Sequence, residues 1–548
     1  MLLRDLTPLD NTSTNSPSEI PEPKIMNILV AEPLAAAGIE QLQAQPGWNV
    51  IVSNPKEYAQ HLPEADALLV RSAVKVTREL LAQAPKLRVI GRAGVGVDNV
   101  DLAAATEAGV LVMNTPGGNA VSVAEHTLAL MLAMARSIPQ ASASTKSGKW
   151  EKKKFLGNEL RGKTLGIVGF GSIGREVARR ALPFEMRVIA YDPYVNSQTA
   201  ADLGIILADL PTLYAESDYV TLHVALTSET MGMLNDDAFA KIKPGARVVN
   251  CARGELIDAE ALTRALQSGR IAGAALDVFQ VEPPAAGMPL LAIDSLIATP
   301  HIGGSTEEAQ EIVGVRIAEQ VVEYLINGVA LNAVNMPPMS QEQFRAVEPY
   351  IDLAQRLGQF AAYIATGNPA SIRMTYAGHI ADLNTSIVRN AGVAGVLARS
   401  VGHRPNVVNS MQIAADRGIS VGEFREARTH ADTVRIELTT DTGVTAVEGS
   451  IVLGRPRLLQ VDGIYCEAHL EGFITYLRNE DVPGVIGYIG GVFGKHGVNI
   501  ANFSLGRKSS GREAVAVIET DAVVPEPAFT DLFENKAIKL ARTVEFKK

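Results

Sequence analysis

Three side chains stand where apolar runs break: Arg253 in ARVVNCARGELID, Glu282 in AGAALDVFQVEPP and His301 in LIATPHIGG. An imidazole exchanges a proton near neutrality, a carboxylate beside it orients the ring and stabilises its charged form, and a guanidinium offers a planar fork to a carboxylate. Such a set suits removal of a hydroxyl proton while the neighbouring acid group is gripped. Pro300 stops the strand before His301, and Gly303-Gly304 after it lets the backbone come close to a ligand. Taken singly, each residue has a bland reading as a wetted loop histidine, a helix-edge acid or a surface ion pair. Their shared position at strand ends is the stronger signal, because open α/β sheets bind ligands outside the carboxyl ends of their strands.

A substrate that loses a proton and a hydride needs an acceptor for the hydride. In TLGIVGFGSIGREVARRALPFEMRVIAYDP, Gly169, Gly171 and Gly174 form G-x-G-x-x-G directly after the apolar run Thr164 to Val168 and at the opening of a helix. Gly169 serves the turn, Gly171 backbone access to a pyrophosphate, and Gly174 helix–sheet packing, with the helix N-terminus facing the phosphates. A second strand ends in Asp192, 18 residues beyond the last glycine, placed to bond the adenosine ribose. No arginine follows Asp192 and its charge repels a 2′-phosphate, which favours NAD over NADP. GRAGVGVDN has Asn99 where a third glycine would stand, so it is not a second dinucleotide site.

The elements that must position these groups follow from the rest of the chain. At 548 residues, with 47% hydrophobic and only 5% aromatic residues, the chain builds several aliphatic cores of α/β type. The net charge of −10, with no basic stripe, excludes a nucleic-acid surface, and the 2 cysteines exclude a disulfide framework or a thiolate zinc cluster. No metal is expected, nor any membrane span, since no apolar stretch is long enough. Residues 1–25 read as a disordered polar tail, neither signal nor transit peptide, so the protein is expected in the cytoplasm.

From Met26, IMNILVAEPL, ADALLVRSAV, LRVIGRAGVGVDNVD and GVLVMNTPGG alternate with helical stretches, as in a parallel sheet. SVAEHTLALMLAMARSI predicts a long, nearly all-apolar helix opened by a Ser122–Glu125 capping box and buried between domains or subunits, with His126 a satisfied core residue. STEEAQEIVGVRIAEQVVEYLING is an amphipathic helix able to return to the first sheet. NMPPMSQEQ reads as a linker, 345–465 as a mixed α/β segment, and the last 80 or so residues as β-α-β-β-α-β, the ferredoxin-like split unit. The expected domains are 26–119 with 305–335 for substrate, 120–304 for NAD, 340–465 intervening, and 468–548.

With the Gly169 fingerprint, the motifs VIGRAGVGVDNVD, MNTPGGN, VVNCARGELID, AGAALDVF and PHIGGSTEEAQ resemble the D-isomer-specific 2-hydroxyacid dehydrogenase family, almost continuously from Met26 to Asn335. The C-terminal part resembles the family's long form, which adds an intervening domain and an ACT domain. The resemblance implies two Rossmann-like domains, NAD as cofactor, and a homo-oligomer, dimer or tetramer. It implies His301 as base, Glu282 as its partner and Arg253 on the substrate carboxylate. Ser172 and Ile173 take the pyrophosphate and Asp277 the nicotinamide amide. His223 and Val224 form a wall beside the adenosine, and Cys251 and Ala252, with Gly303 and Gly304, line the cofactor cleft. Cys251 is not a nucleophile, because hydride transfer needs none.

The implied substrate is 3-phosphoglycerate, oxidised to 3-phosphohydroxypyruvate at the first step of L-serine biosynthesis, with Arg71 and Arg92 as its cations. A less specific hydroxypyruvate or glyoxylate reductase is the alternative among enzymes, and an NAD-sensing corepressor the alternative among binding proteins. Lys152 to Lys154 are either a solvated patch, the favoured reading, or cations that reach a neighbour's cleft. In RNEDVPGVIGYIGGVFGKHGVNIANFSLGR, Pro483-Gly484 opens a helix after one strand and Asn499 opens the next. The ACT resemblance makes Asp481 and Asn499, assisted by Asn479, holders of an L-serine effector; the other reading is a dimerising module with Asn499 as a turn cap.

Overall fold

The computed structural model describes residues 25–399, 404–426, 431–508 and 513–546; the expected N-terminal tail lies outside them, apart from Ile25. Short apolar runs of two to six residues form the strands of the first two sheets, and strands of six to ten residues form the other two.

The first sheet is parallel throughout, in the order β2-β1-β3-β4-β5, with β1 Met26–Val30, β2 Trp48–Val52, β3 Ala67–Val70, β4 Val89–Arg92 and β5 Leu111–Met113. The helix Glu307–Asn327 covers one face, burying Val313, Ile317, Ala318, Val321 and Leu325 against Ile28, Leu69, Val89 and Leu111.

The second sheet, also parallel, has seven strands in the order β12-β11-β10-β9-β6-β7-β8. These are β6 Thr164–Val168, β7 Arg187–Tyr191, β8 Ile206–Leu207, β9 Tyr219–Leu222, β10 Ala246–Asn250, β11 Ile271–Leu276 and β12 Leu296–Ala298. The chain winds outward from β6 in one direction, then returns to the other side of β6 with β9. The strand order therefore reverses between β6 and β9, where an α/β sheet opens a crevice.

The long helix runs Ala120–Arg136 and packs against the helix Ser172–Ala181, sharing the core of the second sheet. Its start corrects the expected capping box. Asn119 is the N-cap, Ser122 lies inside the first turn with its hydroxyl 2.7 Å from that of Thr306, and Glu125 pairs with Arg180 at 3.2 Å. A tertiary partner outcompetes the local one at both positions. Val121 and Leu132 remain exposed, so the apolar girdle is only partly covered.

The helix Gln341–Ile364, opened by a complete Ser340–Gln343 capping box, lies on a six-stranded mixed sheet that spans Pro369–His469. The last sheet holds Gly472–Glu480, Ile500–Arg507, Glu513–Thr520 and Ile538–Phe546 in antiparallel array, with helices Val485–Lys495 and Glu526–Glu534 on one face. Its other face joins the preceding core: Phe360 and Tyr476 meet edge to face at 5.9 Å, and Arg542 Nη1 donates to the carbonyls of Tyr363 and Ala365 that close the long helix. Asn406 Nδ2 donates to Gly109 O at 2.8 Å, tying this third region to the first sheet. No single helix among the described residues is long and apolar enough to cross a membrane.

Candidate active site

Every group singled out from the second sheet leaves the carboxyl end of a strand. In spatial order these are His301 with Gly303 and Gly304 after β12, Asp277 and Glu282 after β11, Cys251 to Arg253 after β10, and His223 and Val224 after β9. Gly169 follows β6 and Asp192 follows β7. The nearest approach is the acid–base pair. His301 Nδ1 lies 2.7 Å from Glu282 Oε2, and Glu282 Oε1 accepts the Phe279 amide at 3.0 Å. An ionised carboxylate only accepts, so Nδ1 is the donor, and in the neutral ring Nε2 is left with its lone pair.

His301 sits at φ 53°, a left-handed conformation that a residue with a side chain seldom adopts. Asp277 holds it there. Its carbonyl accepts the His301 amide at 2.8 Å, Oδ1 accepts the Ile302 amide at 2.9 Å and the Thr299 hydroxyl at 2.6 Å, and Oδ2 accepts the Gly303 amide at 2.8 Å. Burial by itself would raise the Asp277 carboxyl; the bonds from His126, Thr299 and the two amides outweigh it and hold the group below the ordinary carboxylate range. His126 is satisfied inside the fold, its Nε2 lying 3.2 Å from the Thr299 hydroxyl.

Arg253 reaches across to the first sheet's side. Its Nε donates to Asp98 Oδ2 at 2.9 Å and Nη2 lies 2.8 Å from the same oxygen. Asp98 escaped the sequence reading. In GRAGVGVDN the sequence reading weighs only the missing third glycine, and the acid beside Asn99 carries no spacing signal of the kind that marks Asp192. Glu32 was missed in the same way. Buried after β1, its carboxylate accepts the amides of Arg71, Ala73 and Val74 at 2.8, 3.0 and 2.9 Å, fixing the loop that carries Arg71.

Arg71, Arg92, Asp98, Asn119, Glu282 and His301 line one cavity of about 450 Å³ between the two sheets. Burial, with Arg253 close by, lowers the Arg92 guanidinium to about 10, still charged at neutral pH, and its Nε has no partner. The cavity thus presents cations on one wall and an imidazole on the other.

The nucleotide end fits its expected occupant. At Gly169, φ is 95° and a Cβ would lie 2.6 Å from the His223 carbonyl carbon; at Gly174 one would lie 2.2 Å from Gly169 O; at Gly171 it would meet nothing within 4 Å. The fingerprint's first and last glycines are therefore packing requirements, whereas the middle one faces open space at the start of a helix with no side-chain cap. Asp192 accepts the Phe170 and Tyr194 amides, each at 2.9 Å and each on a different oxygen, so both oxygens keep a free lone pair for ribose hydroxyls. Burial drives His223 down to about 3, which makes it a neutral wall, and burial pushes the Cys251 thiol up to about 12, which makes it inert.

The three expected effector residues have separate partners. Asp481 faces Arg507 at 3.6 Å, Asn499 Nδ2 donates to Asp521 at 2.6 Å, and the buried Asn479 donates its Nδ2 to Glu480 O at 2.8 Å while its Oδ1 stays unpartnered. Lys152 to Lys154 form an exposed turn of 3₁₀ helix.

Comparison with known proteins identifies the family. Residues 128–303 match the NAD-binding domain of D-isomer-specific 2-hydroxyacid dehydrogenases, 346–462 the intervening domain of D-3-phosphoglycerate dehydrogenase, and 474–535 the ACT domain. The chain is 41% identical to a D-3-phosphoglycerate dehydrogenase of Methanocaldococcus jannaschii over 94% of its own length and 99% of that protein. It is 40% identical to the one from Archaeoglobus fulgidus over 91% and 96% respectively. The D-lactate dehydrogenase of Aquifex aeolicus, solved with NAD and lactic acid, superposes with a TM-score of 0.50 at 30% identity, covering 57% of this chain and 99% of that one. The chain belongs to the D-isomer-specific 2-hydroxyacid dehydrogenase family, NAD-dependent oxidoreductases, in the long form that carries the intervening and ACT domains of D-3-phosphoglycerate dehydrogenases.

Proposed function

We propose that the chain oxidises D-3-phosphoglycerate to 3-phosphohydroxypyruvate, the opening step of L-serine biosynthesis. The observation that carries this reading is the His301–Glu282 pair, 2.7 Å apart, opening on the cavity that also holds Arg71 and Arg92. His301 Nε2 takes the proton of the substrate's C2 hydroxyl, and Glu282 balances the charge that results. Arg253 releases Asp98 to grip the substrate carboxylate, and Arg92 with Arg71 meets the phosphate. When bound, NAD accepts the hydride from C2. The names of the relatives support the substrate, and the fingerprint with Asp192 supports NAD over NADP. Turnover measured on D-3-phosphoglycerate, D-lactate, glycerate and, in reverse, hydroxypyruvate and glyoxylate tests the reading. Preference for the phosphorylated acid is expected, and equal turnover of the unphosphorylated acids would favour a general reductase.

The ACT match supports an effector, which we take to be L-serine held by Asp481 and Asn499 beside the buried Asn479. Millimolar serine should slow the wild type and not Asp481→Ala; equal inhibition of both would put the site elsewhere. Exposed Trp150, Leu156 and Ile138 support a homo-oligomer, which sedimentation would show.

A further inference from the structure

The motif GRAGVGVDN is not a dinucleotide loop, yet its last two residues both line the substrate cavity. They turn opposite ways. Asp98 reaches Arg253 across the cleft, whereas Asn99 turns back into the first sheet's own side. The Asn99 carboxamide carries two N–H donors and both are used: Nδ2 donates to Arg71 O at 3.0 Å and to Val74 O at 2.7 Å. The Asn99 carbonyl accepts the Val76 amide at 2.8 Å, so side chain and main chain hold the same stretch.

That stretch has little else to hold it. Arg71 to Lys75 lie in neither strand nor helix, and among the described residues none of them bonds main chain to main chain. Glu32 accepts the amides of Arg71, Ala73 and Val74, and Asn99 supplies the carbonyls of Arg71 and Val74. Two side chains thus provide both halves of the loop's hydrogen bonding. The other cation is placed differently. Arg92 is the last residue of β4, in register with Val70 of β3, so the ladder fixes its backbone. Arg71 begins where that ladder stops. Its guanidinium makes one bond among the described residues, Nη1 to Pro33 O at 3.4 Å, which leaves the rest of the fork for an anion.

We propose that Asn99 is a positioning residue for Arg71: its two donors hold the Arg71 loop against the substrate cavity, and the preference for a phosphorylated acid depends on them. Without those donors the loop gains freedom, and an anion has to order it on binding, which weakens that contact alone. A carboxylate on Arg253 and a hydroxyl at His301 do not meet the loop, whereas a phosphate on Arg71 does. Asn99 therefore acts on discrimination between substrates and not on the chemistry they share. The placement of phosphate on Arg71 rests on the function proposed above; the clamp on the loop does not.

The test is the ratio of kcat/KM for D-3-phosphoglycerate to that for D-glycerate, measured on the full chain. Asn99→Ala should lower the ratio by about tenfold. Asn99→Asp keeps the size of the side chain and turns an oxygen toward the two carbonyls in place of the donors, so it should lower the ratio at least as far. In an Arg71→Ala background, Asn99→Ala should change the ratio by less than about twofold, because the group it positions is gone. Hydrogen exchange at the amides of Arg71, Ala73 and Val74 needs no substrate and should quicken by about tenfold in Asn99→Ala. A ratio that stays at the wild-type value, or effects of Asn99→Ala and Arg71→Ala that simply add, would overturn the positioning role. A wild type with no preference for the phosphorylated acid would sink the substrate reading instead. Amide exchange then decides the clamp, and exchange as slow as in wild type would overturn it.

Discussion

The two catalytic sheets share a plan and use it in opposite ways. Both are parallel, and both reverse their strand order beside the strand that starts them, between β1 and β3 in the first and between β6 and β9 in the second. In the second sheet the reversal point is left open. Gly169 lets the turn touch His223, and Gly171 points no side chain into the space ahead of the helix. In the first sheet the chain fills the reversal point with its own anion, the Glu32 carboxylate on three backbone amides. One topology thus makes a nucleotide cradle when the crevice is kept empty, and a rigid substrate wall when an internal carboxylate occupies it.

The largest effect expected from this contrast is at the chemistry. His301→Ala should cut turnover of D-3-phosphoglycerate by about 10²–10⁴-fold, the span of a general base, while NAD titration by fluorescence stays at wild-type affinity. A variant with near-normal turnover would remove the second sheet's claim to the reaction. Next in size is the pair Gly171→Ala and Gly174→Ala. The first adds a methyl to open space, so NAD should weaken by about tenfold or more with the melting temperature unchanged. The second drives a methyl against Gly169 O, so stability should drop by about 1–3 kcal/mol. If both variants behave alike, the cradle is not open in the sense argued here.

Glu32→Gln sharpens the other half. It keeps the shape but removes the charge from three amide bonds, so denaturant unfolding should show a loss of about 1–3 kcal/mol and KM for substrate should rise as the Arg71 loop loosens, with NAD affinity untouched. A change in NAD affinity instead would mean that the two sheets are not separable.

The most gradual effect is in pH. Burial lowers His223 from an ordinary 6.5 to about 3, so below pH 6.5 the unfolded chain takes up a proton that the folded chain refuses. Stability should therefore fall with falling pH across that window, by about 1 kcal/mol per pH unit from this group. Melting curves between pH 4 and 7 should be flatter for His223→Gln than for wild type.

Legibility differed in kind between the elements. Apolar runs closed by Gly, Pro or a charge exposed nearly every strand of the second sheet, because a strand buried on both faces needs a continuous apolar run. The edge strand Trp48–Val52 has no such run and went unread, being half-covered on one side only. His301, Glu282 and Arg253 were legible as strand ends. That Arg253 rests on Asp98, 155 residues away, was not.

By itself the sequence determined the parallel sheets, the glycine fingerprint, the acid after β7 and the strand-end residues. Each of these is set by backbone conformation or by hydrophobic periodicity, which act over a few neighbouring residues. Only the tertiary structure decided which carboxylate meets which cation, where the long helix starts, and how the last sheet shares a core with the helix Gln341–Ile364. Those outcomes depend on which groups are left without a partner once the chain has closed on itself, and no local window of sequence contains both members of the pair.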